Sequence, residues 1–168
     1  MGSHTISPPN DPVRQILDSL RRVVHGLRVA DRAAERAAGL SGAQLFVLSK
    51  LDALGPGSIN DLAARTITHQ SSVSVVAHKL VERGLAARAP SSADGRRVVL
   101  RITAAGRKAL RAAPEAAQEK LIAAVGKMKP DEQMRLSRLL RTLVAAAGLD
   151  QTEPVMFMEE MRHDRKRT

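Results

Sequence analysis

The chain has 168 residues, and its 27 Lys and Arg against 17 Asp and Glu side chains give a formal net charge of +10. It contains no cysteine, which excludes disulfides, thiolate nucleophiles and cysteine-based metal sites. The length predicts one domain, and the charge favours a polyanionic partner. Because no apolar run approaches the ~20 residues that span a bilayer, and no secretory signal opens the chain, we predict a cytoplasmic protein.

The first predicted element is a long helix that begins at Asp11 and Pro12, a favourable N-cap and N1 pair. Apolar side chains then recur at helical spacing, and the pattern ends at Gly39. Residues 1–10 are predicted to be a disordered segment, either native or in part a cloning remnant. A helix of roughly 26 residues needs a partner for its apolar face.

Two capping boxes predict the next two helices. The first, Ser41 to Gln44, opens a helix from Gly42 to Leu54. Its buried stripe is predicted to consist of four leucines, Leu45, Leu48, Leu51 and Leu54. The second box, Ser58 to Asp61, opens a short helix after a Gly-Pro-Gly break, and Ser58 and Ile59 are expected to add a minimal strand to a later sheet.

A fourth helix is predicted between Thr68, its N-cap, and Gly84, where it stops. With the short helix before it, this forms a helix-turn-helix. One face is apolar, and the opposite face carries Gln70, Ser71, Ser74, Val75, His78 and Lys79. Short polar side chains with one cation suit the DNA major groove, where base edges are read by hydrogen bonds. The alternative is an ordinary Ser-rich surface.

Two β-prone runs follow, Leu85 to Pro90 and Arg97 to Thr103, joined by a turn that contains Asp94 and Gly95. The hairpin is crowded with arginines at positions 88, 96, 97 and 101. A basic hairpin tip beside a helix that reads a groove is typical of a winged helix-turn-helix.

These residues also carry a family resemblance. Asp94-Gly-Arg96 and Ile102-Thr103-Ala-Ala-Gly106 resemble the D-x-R…L-T-x-x-G wing signature of the multiple-antibiotic-resistance regulator (MarR) family, with Ile102 in place of the usual Leu. The stretch from Leu80 through Gly84 resembles the exit of that family's recognition helix. The resemblance implies a wing arginine, Arg96, that enters the minor groove, an acid, Asp94, that orients it, and a small, often anionic or phenolic effector.

The C-terminal half is predicted to be helical. Residues 104–128 are Ala-rich with a break at Pro114, and a further helix with a wide apolar face runs from Pro130 to Gly148. The fold class is therefore mainly α with a small β-hairpin wing. We predict a domain over residues 11–149, with dimerisation helices at 11–39 and 104–149 and a winged helix-turn-helix at 41–103. Because much apolar surface would be stranded in a monomer, an obligate homodimer is expected.

Contact with DNA is predicted for residues of the helix caps, the recognition helix and the wing: Ser41, Ser58, Thr68, Gln70, Ser71, Ser72, Ser74, Val75, His78, Lys79, Arg88, Asp94, Arg96, Arg97 and Arg101. Base edges are assigned to Gln70, Ser71, Ser74 and His78, and phosphate to Lys79. Arg97 is an alternative to Arg96, and Asp94 and Arg96 alternatively only pin the turn. Arg88 and Arg101 are either backbone contacts or solvated charges.

An effector pocket is the least supported prediction. His25, Arg28, Phe46 and Lys50 are candidates for the crevice that the resemblance implies, with purely structural roles as the alternative. The five histidines are too scattered for a metal site, and no cofactor is predicted. Neither a G-x-S-x-G, a P-loop nor a G-x-G-x-x-G sequence is present, so no enzyme is predicted.

The tail, residues 150–168, combines Val155-Met-Phe-Met158 with a basic run, Arg162 to Arg167. We consider an ordered end that forms a short amphipathic helix and packs Phe157, a phosphate contact by the basic run, or a Met cluster that gates a ligand pocket. For the whole chain, the sequence predicts a homodimeric, ligand-responsive repressor that binds a pseudo-palindromic double-stranded operator. The alternative is a sequence-tolerant architectural DNA-binding protein driven by the net charge.

Overall fold

The computed structural model describes residues 11–91, 95–151 and 154–159, and it contains helices and a two-stranded hairpin. In chain order the elements are α1 Pro12–Ala38, α2 Gly42–Leu54, α3 Ile59–Thr66, α4 Gln70–Glu82, β1 Ala86–Pro90, β2 Val98–Ile102, α5 Ala104–Ala112, α6 Ala117–Gly126 and α7 Pro130–Ala146. This confirms the predicted fold class, mainly α with a small wing. The predicted disordered segment, residues 1–10, lies outside the described residues. No described helix is long and apolar enough to cross a bilayer.

Local capping sets the ends of α1, as predicted. The Asp11 carboxylate accepts a hydrogen bond from the Val13 N–H at 3.0 Å. At the other end Gly39 adopts a left-handed conformation, with φ of 63°, and its N–H donates to the Glu35 carbonyl at 2.8 Å. Only Leu27 and Ala34 of α1 are buried, because most of the helix projects beyond the remaining helices.

Helix α2 is the centre of the core. It is packed by α1, α3, α4, α5, α6 and β2, and every residue from Ala43 to Leu48 is buried. The prediction of a single leucine stripe is therefore wrong in one respect. Leu54, the last residue of α2, is 56% exposed because the helix ends beyond the core. The largest fully buried side chains are Phe46, Leu40, Leu48, Leu51, Leu62, Leu80, Val47, Val73 and Val76.

The wing is an antiparallel pair in which Ala86 faces Ile102 and Pro90 faces Val98. A third, minimal strand is present, but it is formed by Gly57 rather than by Ser58 and Ile59. Gly57 exchanges two backbone hydrogen bonds with Leu100, at 3.1 and 2.8 Å. The shift has a local cause, since Ser58 is the N-cap of α3 and Ile59 its first residue.

Helix α4 begins one residue later than predicted, with His69 rather than Thr68 as its N-cap. The Thr68 hydroxyl is instead used within the turn, where it donates to the Thr66 carbonyl at 3.0 Å. At the other end, Gly84 is left-handed and the Leu85 N–H donates to the Leu80 carbonyl at 2.9 Å. The predicted stop at Gly84 is thus confirmed.

The second half of the wing signature, Ile102 to Gly106, meets the exit of α4 at one junction. The Thr103 hydroxyl donates to the Gly84 carbonyl at 2.8 Å and accepts from the Gly106 N–H at 3.0 Å, which caps α5. Gly106 lies directly against the end of the α4 turn, and a Cβ at this position would stand well under 3.0 Å from the Leu85 carbonyl oxygen. A glycine is required here because the nearest atom belongs to the backbone and cannot rotate away.

Replacing Gly106 with Ala is therefore expected to destabilise the fold by about 1–3 kcal/mol or more, the range of overpacking that displaces backbone. Urea unfolding followed by circular dichroism measures the change. Gly126→Ala is the matched control, since Gly126 is also helical and a Cβ added there would meet nothing within 4 Å. Equal stability of the two variants would contradict the close approach.

The C-terminal helices follow the predicted breaks. Helix α5 ends at Ala112, before Pro114, and α6 begins at Ala117. None of the 17 residues of α7, all of them described, is buried. In the tail, residues 154–159 do not form the suggested helix, and Met156 rather than Phe157 enters the core.

Candidate nucleic-acid interface

Helix α4 presents the predicted polar face. It buries Val73, Val76, Ala77 and Leu80 against α2 and α3, which turns the opposite side outward. The exposed side chains are Gln70, Ser71, Ser74, Val75 and His78. The imidazole Nε2 of His78 lies 3.3 Å from the Glu82 carboxylate, one turn later on the same face. The solvent side of α4 therefore carries short polar groups rather than a dense set of Lys and Glu.

Two predicted contact residues lie on the flank of α4 instead. Ser72 is 6% exposed, and its hydroxyl is 3.5 Å from the Pro154 carbonyl oxygen of the tail. The Lys79 ammonium forms an ion pair with the Glu159 carboxylate. This flank is therefore covered by the described part of the tail. Sequence reasoning did not anticipate that contact, since some 80 residues separate the partners.

Three further candidates are parts of helix caps and turns. Ser41 is buried, and its hydroxyl accepts from the Gln44 N–H at 3.2 Å. Ser58 caps α3 in the same way, through the Asp61 N–H at 3.2 Å, and remains partly accessible. Thr68 is half-buried in the turn that precedes α4. Ser41 and Ser58 thus serve as helix caps, and the Thr68 hydroxyl donates within the turn between α3 and α4.

Arg83 also fixes α4, although the sequence did not single it out. Its guanidinium donates to the Gln44 side-chain oxygen at 2.8 Å, and the same oxygen accepts from the Ser41 N–H at 3.1 Å. The end of α4 is thereby fastened to the start of α2. A charge-assisted bond of this kind is stronger than one between neutral groups.

The Asp61 carboxylate lies at the start of α3 and has a pKa below its ordinary value of 3.8. Hydrogen bonds from the Ser58 hydroxyl and the Ser58 N–H lower this pKa most, and the charges of Arg97 and Arg65 add to the effect. Arg65 is held in place by donating to the Gly55 carbonyl at 2.7 Å. The capping box thus carries a negative charge that faces a wing arginine.

A pH dependence of stability follows. A carboxyl whose pKa is lower in the folded than in the unfolded chain stabilises the fold above the unfolded pKa, and the stabilisation disappears as the pH falls through the folded pKa. Asp61→Ala is expected to be less stable than the wild type at pH 7, and the difference should narrow below about pH 4. Thermal unfolding at pH 7 and at pH 3 measures this. A constant difference would contradict the assigned role of the charge.

The wing tip is exposed to solvent and is basic. Arg96, Arg97, Arg88 and Arg101 are all exposed, whereas Asp94 lies outside the described residues. The Ser91 N–H donates to the Arg97 carbonyl at 2.8 Å, which closes the strand pair next to the tip. The tip therefore offers guanidinium groups beside the exposed face of the helix-turn-helix.

The four predicted effector residues are only partly brought together. Phe46 is buried, and the Lys50 ammonium lies 5.1 Å from its ring centroid and 3.1 Å from the Glu119 carboxylate. His25 and Arg28 are exposed on α1. The ion pair joins α2 to α6, which supports a structural role for Lys50. Glu119 was missed because its partners are 69 and 70 positions earlier in the chain, and Ser49 also donates to it, at 2.5 Å.

A small crevice exists near these residues. Its walls come from α1, α2, the start of α6 and the tail, namely Leu27, Ala30, Asp31, Gly42, Leu45, Glu115, Ala117, Gln118, Phe157 and Met158. Gln118 is 8% exposed, and its side-chain oxygen has no hydrogen-bond partner among the described residues. Burial of such an acceptor without a partner costs about 1–3 kcal/mol. The crevice is thus mainly apolar with one unused acceptor.

Comparison with known proteins identifies the group to which this architecture belongs. Residues 38–97, which run from the end of α1 to the wing tip, match a family model described as MarR family. Over these residues the chain is similar to the MarR family. This confirms the resemblance seen in the sequence, and it supports a DNA-binding transcriptional regulator with a winged helix. Regulators of this family are generally non-enzymatic.

Solved structures agree with this assignment. Sco5413, a MarR family transcriptional regulator from Streptomyces coelicolor, is 26% identical, with 82% of this chain and 96% of that chain covered and a TM-score of 0.50. A probable transcriptional regulator from Pseudomonas aeruginosa is 26% identical, with coverage of 80% and 97% and a TM-score of 0.51.

A third structure, BpsR of Bordetella bronchiseptica, is 25% identical over 84% of this chain and 97% of that chain, with a TM-score of 0.52. Its DNA binding is described as regulated by 6-hydroxynicotinic acid. No protein with a curated description matches this chain.

Proposed function

We propose that the protein is a homodimer that binds a pseudo-palindromic operator, with α4 in the major groove and the wing tip in the adjacent minor groove of each half-site. The observation that carries this proposal is the exposed polar face of α4 beside a tip with two exposed arginines. Gln70, Ser71, Ser74 and His78 would contact base edges, since they occupy that face. Arg96 would enter the minor groove, where the negative potential is concentrated. The buried Ser41 and Ser72 are not part of this interface.

The proposed dimer surface consists of the apolar faces of α1 and α7. On α1 the exposed apolar side chains are Val13, Ile16, Leu17, Leu20, Val23 and Val24. On α7 they are Leu139, Leu140, Leu143 and Val144, which share one side of the helix. Monomeric proteins rarely expose apolar patches of this extent, and a two-fold contact would remove both faces from water. The same exposed apolar surface supports a division of the chain into dimerisation helices, 11–39 and 104–149, and a winged helix-turn-helix, 41–103.

We further propose that a small effector binds between α1, α2 and the start of α6, where the narrow crevice has to widen to admit it. The unused Gln118 oxygen supports this site, because a phenolic hydroxyl or ring N–H of a planar ligand would satisfy it. The ligand must bind more tightly to the form that does not fit the operator, since otherwise it shifts no equilibrium. Repression that is relieved by such a ligand is the expected mode of action.

Selection from a random duplex library at near-physiological salt tests the function. If the protein is a regulator, an inverted repeat should be enriched among the bound duplexes. Its affinity for that repeat should exceed its affinity for random duplex by roughly 10³-fold or more. The charge of +10 also suits an architectural protein that binds any duplex. Retained binding without an enriched motif would support that second function and contradict the first.

A further inference from the structure

The described part of the tail, Pro154–Glu159, is packed into the protein although it forms no regular structure. Met156 is 2% exposed and belongs to the same core cluster as the α2 and α4 side chains. Phe157 and Met158 form one wall of the crevice, where Met158 lies over Gly42 at the start of α2. Burial of a methionine side chain contributes about 1.5–3 kcal/mol to holding this segment in place.

The same segment reaches the flank of α4. The Glu159 carboxylate is 7% exposed and is paired with the Lys79 ammonium, one of the cations of the proposed DNA interface. The Pro154 carbonyl oxygen lies 3.5 Å from the Ser72 hydroxyl, two turns earlier on α4. Six residues thus connect the crevice to the proposed recognition helix.

The charge of this part of the chain is opposite to that of the whole. Residues 150–160 contain four acids, Asp150, Glu153, Glu159 and Glu160, and no Lys or Arg, while the chain as a whole carries +10. A buried carboxylate on Lys79 occupies the charge that a DNA phosphate would otherwise neutralise. Operator binding through Lys79 must therefore break this ion pair or forgo the phosphate contact.

We propose that residues 154–159 form an intrachain latch that lowers the affinity of α4 for DNA, a device that rests on the proposed function of α4 as recognition helix. The latch is closed when Glu159 holds Lys79 and Met156 lies in the core. DNA favours the open form, in which Lys79 is released.

Two full-length proteins test the latch, the wild type and Glu159→Gln. Affinity for the selected repeat is measured at about 0.15 M salt. Glu159→Gln is expected to bind about three- to tenfold tighter, because it frees Lys79 while preserving the shape of the side chain. Glu132→Gln, which removes one negative charge from the first turn of α7, is the control and should not change the affinity.

Unchanged or weaker binding by Glu159→Gln would overturn the latch. This test presupposes that the wild type binds the selected repeat. If the selection yields no repeat and no variant prefers one duplex sequence over another, the proposed function itself fails. That outcome differs from failure of the latch alone, in which a repeat is selected but Glu159→Gln binds it no more tightly.

Fluorescence gives a readout that does not depend on affinity. The chain has no Trp or Tyr, so Phe157→Trp introduces a single reporter at the wall of the crevice. Saturation with the selected repeat is expected to shift its emission to longer wavelength as the segment leaves the protein surface. An emission spectrum that does not change on DNA binding would contradict release of the latch.

Discussion

Leu143→Asp is expected to convert the protein to monomers and to lower its affinity for the operator by on the order of 100-fold or more. Leu143 lies in the exposed apolar face of α7, none of whose residues is buried within one chain. In a two-fold dimer each substitution acts twice, and an unpaired carboxylate in an apolar interface costs several kcal/mol. A monomer then holds a single half-site and loses the gain of binding two half-sites at once.

The mass in solution, from analytical ultracentrifugation, and the operator affinity are measured together. Ala145→Asp introduces the same carboxylate on the opposite side of α7, where the residue is also exposed. It should remain dimeric and bind normally. If both variants behave alike, or if Leu143→Asp stays dimeric, the surface formed by α1 and α7 is not the dimer interface.

Arg96→Ala is expected to weaken operator binding by about 10- to 100-fold, which corresponds to the ~1–3 kcal/mol of a specific arginine contact. Arg96 is exposed at the wing tip, beside the outward face of α4, so its guanidinium is placed to enter a narrow and strongly negative minor groove. The dimer and the fold should be unaffected, because the residue belongs neither to the core nor to the α7 surface.

Fluorescence anisotropy with the selected repeat, repeated at several salt concentrations, measures the effect of Arg96→Ala. Arg111→Ala removes the same charge from the exposed end of α5 and serves as the control. A specific minor-groove contact predicts that the loss with Arg96→Ala is much larger and depends on the sequence of the repeat. Equal losses of operator affinity for both variants would mean that Arg96 acts only through the net charge of the protein and makes no specific contact.

The elements that sequence analysis predicted well are those fixed by neighbouring residues. The caps of α1 at Asp11 and Gly39 and the capping boxes at Ser41 and Ser58 each depend on groups at most four residues apart. The turn at Gly84 is equally local, since its left-handed backbone and the hydrogen bonds around it involve adjacent turns of the chain. Residue type and spacing therefore suffice to predict these features.

Features that depend on packing between distant segments were not predictable in this way. Helix α2 is enclosed from several sides, so its burial follows the arrangement of its neighbours rather than one periodic stripe. Ser72 and Lys79 look like surface residues of α4 in the sequence, yet the tail covers them. Likewise, the unused acceptor of Gln118 becomes visible only when α6 is placed against α1 and the tail.

The two-fold arrangement of the operator complex is tested most directly by changing the spacing of the half-sites. Affinity is measured for the selected inverted repeat and for the same repeat with about five base pairs inserted at its centre, which is half a helical turn. A dimer that holds both recognition helices on one side of the duplex should lose most of its affinity for the lengthened site. Equal affinity for both duplexes would contradict a rigid dimer that reads two half-sites.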